Sequence, residues 1–351
     1  MLTVFTPSFA DASNTNAQNL TVKEVVSRLP PDRFKVILLG DGTPDPRISA
    51  RPNTEILRGT RHGNTPRWLT RLLLSKVDVY FFPREGPLDT SFMFLRRSLG
   101  LPIALVAYVV VALDGGVGPR MARYIREADR VVGNSRFVTQ TVKDRFGVAA
   151  DTIPSGIKRE LFYPPDSRLP RSKLTVLYAG SFQARKRLNV VIREAANRPS
   201  IEFRLVGKGE PEEEQICRSL VNELGCRNVT FVGHLSQTGL AEEMRKADVF
   251  FFPSVLEGHP QVLGQAASCG LPAVARDLYQ PDYVLNGETG YLVKSESELS
   301  DKLGLLLGDR DLRLRMSTVA TRHAAKFNWE SVTQDWERIF VEAAAERRKK
   351  N

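Results

Sequence analysis

Hydrophobic positions in the first half of the chain alternate between two patterns. Short apolar runs rich in Val, Ile, Phe and Tyr occupy residues 2–5, 34–39, 77–82, 103–111 and 130–133. These read as buried strands. Between them, residues 16–29, 65–75, 88–99 and 117–128 read as helices. The alternation predicts a mainly parallel sheet with helices on both faces. A proline-rich stretch, FYPPDSRLPRSK, then interrupts it. Pro164, Pro165 and Pro170 can neither continue a helix nor donate to a ladder, so a linker is expected here. Beyond it, strand patterns return at 174–179, 202–206, 229–232, 249–252 and 272–275, with helices at 186–196, 212–224, 239–246 and 262–269. The last pattern, 328–348, is helical, and no strand pattern follows it. The expected class is α/β, with two Rossmann-like, doubly wound parallel-sheet domains facing a central cleft. Ligands of such sheets bind outside the carboxyl ends of the strands.

A length of 351 residues suits two domains. With 42% apolar and 26% charged residues, the composition is that of a soluble globular protein and argues against disorder, fibres or collagen. The longest near-continuous apolar run, residues 101–113, falls short of the roughly 20 residues that span a bilayer. The start, MLTVFTPSF, lacks the cationic and apolar regions of a signal peptide. Cys217, Cys226 and Cys269 show no metal-ligand spacing, which fits reduced thiols in a cytoplasm. Of the net charge of +10, residues 1–165 carry +8. Either an anionic partner (nucleic acid, an acidic membrane surface or a phosphorylated substrate) or a solvated basic face accounts for that. Segment NTPRWLTRLLLSK sets Arg67, Arg71 and Lys76 beside Trp68, Leu72 and Leu73. Such a helix can lie on an anionic membrane, but packing of its leucines on its own sheet is favoured.

Three segments carry candidate chemistry. In YAGSFQARKRLNVV, Gly180 allows a tight turn after a strand, and Lys186, flanked by Arg185 and Arg187, is expected to open the next helix. A helix N-terminus with a lysine suits phosphate, although an ordinary β-turn-α connection has the same look. In LVGKGEPE, Gly207 and Gly209 begin a dinucleotide fingerprint that fails at Pro211 and Glu212, so glycines for a sharp turn are favoured. In PSVLEGHPQVLGQAASCG, Glu257 lies in a loop, Pro260 starts a helix, and Gln265 follows two turns later. The backbone N–H groups of Gln261, Val262 and Leu263 could bind a diphosphate. Glu257 by itself also suits a purely stabilising place near a helix start.

Taken in order, these segments resemble the retaining glycosyltransferases of family 4, which have the two-domain GT-B fold. The resemblance covers most of residues 130–335. ADRVVGNSRFV resembles the last strand and helix of that family's N-terminal domain, and DTIPSGIKRELFYPP its linker. AGSFQARK is similar to the donor loop, VTFVGHLSQTGLAEEMRKADVFFFPS to the segment around the nucleobase, and EGHPQVLGQ to the Glu-x7-Glu element. Three substitutions stand out: Ser181 replaces the donor-loop arginine, Gln265 the second glutamate and Pro260 a glycine. AYVVVALDGG lacks the histidine that many relatives carry there.

The resemblance implies an acceptor-side domain at 1–166, a donor domain at 167–333, and a helix from about 334 to 351 packing back on the first. It implies roles for Glu257 and Lys186 in catalysis. Gly180, Ser181, Arg185, Gly207, His234, Gly258, Gln261, Val262, Leu263 and Gln265 would bind the donor. Ser13, Asn14 and Asn16 of SFADASNTNAQ would face the acceptor. The implied reaction is retaining transfer from a nucleotide-diphosphate sugar to the hydroxyl of a glycan or lipid-linked acceptor. Glu257 would hold sugar hydroxyls, Gln265 the ribose, and Lys186 the departing diphosphate.

No cofactor or metal is expected. The Asp309-Arg-Asp311 spacing is read as helix capping, and the four histidines have no ligand spacing. Peripheral contact with an anionic membrane, at the inner face, is compatible with this picture; specific nucleic-acid binding is not expected. Two alternatives remain: a degenerate GT-B protein that binds nucleotide sugar or glycan without turnover, and a GT-B sugar epimerase.

Overall fold

The computed structural model describes residues 1–7, 17–40, 42–59, 64–83, 86–110, 118–167 and 172–350. Ser13, Asn14 and Asn16, and residues 111–116 of the AYVVVALDGG stretch, lie outside the described residues. The described chain forms two compact units, Met1–Gly156 with Trp329–Asn351, and Ile157–Asn328. The sequence-based boundary at 166/167 therefore shifts upstream, and the return comes at Trp329. Pro164 and Pro165 lie in an irregular stretch inside the second unit.

The first unit runs β1 (Leu2–Thr6), α1 (Ala17–Arg28), β2 (Phe34–Gly40), α2 (Pro46–Ser49), β3 (Thr54–Arg58), α3 (Thr65–Leu74) and β4 (Val79–Phe81). It continues with α4 (Pro87–Ser98), β5 (Ala104–Val109), α5 (Pro119–Glu127), β6 (Arg130–Gly133), α6 (Arg136–Phe146) and β7 (Asp151–Thr152). Its seven strands lie in the order β3-β2-β1-β4-β5-β6-β7, all parallel. Strand β5, ALVAYV, is buried along its whole length, as a strand with helices on both faces must be. Strand β3, TEILR, ends the sheet half-buried, and its weak apolar signal explains why periodicity alone passes over it.

The second unit contains β8 (Thr175–Ala179), α7 (Leu188–Ala196), β9 (Glu202–Val206), α8 (Pro211–Glu223), β10 (Val229–Gly233), α9 (Gln237–Lys246) and β11 (Val249–Phe252). Then come α10 (Gln261–Ser268), β12 (Ala273–Arg276), β13 (Gly290–Val293), α11 (Glu296–Gly308) and α12 (Arg310–Ala324). The six strands are parallel, in the order β10-β9-β8-β11-β12-β13. The order reverses between β8 and β11, and a crevice opens at such a switch point.

The long helix α13 (Trp329–Lys349) returns to the first unit. Trp329, Val332, Trp336, Ile339, Phe340, Ala343 and Ala344 enter a core with Val4, Val36, Phe81 and Val106. The Trp336 ring lies 4.9 Å from Phe81 and edge-on to Tyr108 at 5.0 Å. Gly156 permits this approach, since a Cβ there would stand 2.5 Å from the Trp329 ring.

Candidate active site

The loops that follow β8 and β11 belong to neighbouring strands, so their tips meet. The amide of Val255 donates to the Arg185 carbonyl at 3.0 Å, and the Arg185 guanidinium donates back to the Leu256 carbonyl at 2.6 Å. These bonds bring Glu257 over the first loop. Its Oε1 accepts from Lys186 Nζ at 2.5 Å, Ser254 Oγ at 2.5 Å and Arg185 Nη1 at 3.0 Å. Lys186 also lies over the Phe252 ring, 5.0 Å from its centroid.

The expected helix start at Lys186 is corrected. Residues Ala184–Lys186 form a 3-10 turn, Arg187 takes a left-handed φ of 56°, and α7 begins only at Leu188. The left-handed residue breaks the helix, so Lys186 turns inward to Glu257 instead of standing on a helix N-terminus. The Lys186 side chain is buried. Burial holds its ammonium below the ordinary lysine range, and the Glu257 carboxylate opposes that shift in part.

A second layer fixes the first loop. The Tyr178 hydroxyl donates to the Ser181 carbonyl at 3.1 Å. Burial above all, and then the Glu257 charge, push its pKa well up, so it stays a donor. Gly207 has φ +138°, and a Cβ there would stand 1.9 Å from the Gly180 carbonyl oxygen. Only glycine lets the loop after β9 cross so closely, and Phe182 N then donates to the Lys208 carbonyl at 2.9 Å. Gly180 and Gly207 thus shape the loop by backbone contact. Ser181 and His234 are exposed.

Helix α10 starts behind Gly258, with Pro260 as its N-cap. Gln261 and Val262 are half-buried at its start, followed by the buried Leu263 and Gln265. His259 packs its ring 4.2 Å from Tyr283. Both its nitrogens are buried without a hydrogen-bond partner, and burial pushes its pKa down to about 3. Asp309 caps α12, its Oδ1 accepting from Leu312 N at 2.8 Å. Among the described residues, no group of three or more His, Cys, Asp or Glu side chains could hold a metal ion.

Lys186, Arg185 and Glu257 are therefore one hydrogen-bonded cluster, with Gly180 and Ser181 on the same loop and Gly258 beside it. Ser254 and Tyr178 were not singled out by sequence patterning. Ser254 lies three residues before Glu257, but only the folded loop shows that its hydroxyl points at the carboxylate.

The description "Glycosyl transferases group 1" matches residues 161–323. D-inositol 3-phosphate glycosyltransferase of Acidothermus cellulolyticus is 31% identical over 266 residues, covering 67% of this chain and 59% of the relative. The Mycobacterium tuberculosis protein of the same description is 31% identical over 279 residues, covering 70% and 58%. The chain thus spans under two thirds of the length of these relatives. Among solved structures, sucrose-phosphate synthase of Thermosynechococcus elongatus superposes with a TM-score of 0.78 at 20% identity, covering 98% of this chain and 100% of that one. Anabaena HepE, solved with UDP and glucose, gives 0.76 at 15% identity, covering 97% and 100%. No helix among the described residues is long and apolar enough to cross a membrane. Two parallel α/β sheets with this strand order and these neighbours are the GT-B fold, and residues 161–323, which hold the Glu257 cluster, belong to the group 1 glycosyltransferases.

Proposed function

We propose that the protein transfers a sugar from a nucleotide-diphosphate sugar to an acceptor hydroxyl, with retention at the anomeric carbon and without a metal ion. The observation that carries this reading is the cluster at the β8/β11 switch point, where Glu257 Oε1 gathers Lys186, Arg185 and Ser254. A carboxylate set by three donors is held in one orientation, ready to accept hydrogen bonds from sugar hydroxyls. The two cations beside it can take up the charge that builds on a departing diphosphate, the largest electrostatic demand of the reaction. Lys186 is shielded from water, which strengthens its attraction for that charge.

As the bond from the anomeric carbon to the diphosphate breaks, the sugar gains oxocarbenium character, and the acceptor oxygen enters on the same face, its proton passing to the departing diphosphate oxygen. Retaining glycosidases instead use two carboxyl groups roughly 5–5.5 Å apart. Gln265 on α10 fits the ribose, because its amide can accept from or donate to a hydroxyl. The Asp309 carboxylate already caps α12, which supports reading the Asp-x-Asp spacing as structural. That Anabaena HepE was solved with UDP-glucose adds support for a nucleotide-sugar donor. The test is a thermal-shift and turnover screen with UDP-, GDP- and ADP-sugars, with and without EDTA. One donor should raise the melting temperature and be consumed equally in EDTA. Loss of turnover in EDTA, restored by Mg²⁺ or Mn²⁺, would refute metal independence. Binding without turnover for every donor and acceptor would identify a degenerate binder.

A further inference from the structure

We propose that the first unit docks on an anionic lipid bilayer through the edge of its sheet where the strands begin. Helices α3 and α4 lie side by side on one face of the sheet, sharing a core with Trp68, Leu72, Leu88 and Phe92. They lead into β4 and β5, so both end at that edge. The buried leucines account for only part of their apolar surface. Leu74 is 72% exposed, Phe94 63%, Leu99 62% and Leu73 42%. Four large apolar side chains are thus exposed on these two adjoining helices, and three of them, Leu73, Leu74 and Leu99, stand at or beside the helix ends at that edge.

The same edge is cationic. Lys76 follows α3, Arg97 lies in the last turn of α4, and both are exposed. Helix α13 brings its basic last turn, Arg347, Arg348 and Lys349, to the same place. Arg347 donates to the Leu101 carbonyl just before β5, at 3.0 Å, and Arg348 pairs with Asp78 just before β4. Asp78 is met by Arg348 and Asp129 by Arg96, while Lys76, Arg97 and Lys349 are exposed at this edge.

The two properties together select the partner. A phosphate backbone satisfies the cations but offers nothing to Leu74, Leu99 and Phe94. An apolar protein face covers the leucines but strands the cations. A bilayer with anionic headgroups takes both, the apolar side chains at the acyl boundary and the cations among the headgroups. The inference is independent of the donor-site reading.

The experiment is flotation of the whole protein with phosphatidylcholine vesicles, with and without phosphatidylglycerol. The protein should float with the anionic vesicles and much less with neutral ones, and high salt should weaken capture. The pair Leu74→Ser/Leu99→Ser and the pair Lys76→Glu/Lys349→Glu should each lower vesicle affinity roughly tenfold or more, with thermal unfolding unchanged. Absence of capture by anionic vesicles would overturn the proposal. So would capture that ignores the leucine pair, since charge alone would then explain it. A dimer in light scattering that the leucine pair disperses would assign the surface to a second copy and also refute it.

Discussion

At the scale of single residues, Lys186 holds its charge where burial works against it. As pH rises, its ammonium is lost earlier than that of an exposed lysine. The alkaline limb of kcat/KM should therefore fall below the ordinary lysine value of 10.5, and Lys186→Arg should move it upward, because a guanidinium keeps its proton. Lys186→Ala should lower kcat/KM by roughly 10²-fold or more. Glu257 keeps Arg185 and Ser254 in that variant, so the fold should survive. A pH–rate profile checks all three, and near-normal kcat/KM in the alanine variant would remove Lys186 from the reaction. Gln265→Ala should weaken nucleotide binding by roughly 1–2 kcal/mol, with Gln265→Glu tolerated; calorimetric titration of nucleotide reads this directly. Glu257 and Lys186 are both visible in the sequence as candidates, but their contact is not. They are 71 residues apart and meet only because β8 and β11 are neighbours.

At the scale of elements, the strongly periodic segments are legible and the edges are not. Helix α13 is announced by Trp329, Trp336, Ile339 and Phe340, which the structure buries against β4 and β5. Trp336 is fully buried among aromatic rings, so Trp336→Ala should cost about 3–5 kcal/mol. Urea unfolding measures that, and a cost below about 1 kcal/mol would show that the helix is not anchored there. Strands β3 and β13 escape periodicity because each is short and only partly buried, at a sheet edge. The start of α7 is misread because Lys186 and Arg187 look like helix formers, while the left-handed φ of Arg187 is set by the turn.

Helix α10 carries a pH signature through His259 on its N-terminal side. Unfolded, that imidazole protonates near 6.5; folded, it stays neutral down to about 3. Between those values the unfolded state binds more protons, so stability falls as pH drops, by at most about 1.4 kcal/mol per pH unit. His259→Phe, which can keep the stack on Tyr283, should flatten the acid limb of melting temperature against pH. An unchanged slope would mean that other groups set it.

At the scale of the whole molecule, each unit carries a different chemistry. The second holds the Glu257 cluster at the switch point of its sheet. The first, which includes α13, holds the basic, apolar edge proposed to meet lipid. The uneven net charge signals this asymmetry in the sequence, but only the folded chain gathers Lys76, Arg97 and the end of α13 at one edge. The central claim is that Glu257 acts on the donor sugar during transfer while the nucleotide is held by other groups. It is tested most directly by comparing wild type with Glu257→Gln, measuring kcat on the best donor and Kd for the free nucleotide. The account predicts that kcat falls by about 10²-fold, since a charge-stabilising contact is lost in the transition state, while nucleotide Kd stays nearly constant. Unchanged kcat, or nucleotide affinity lost in equal measure, would contradict it.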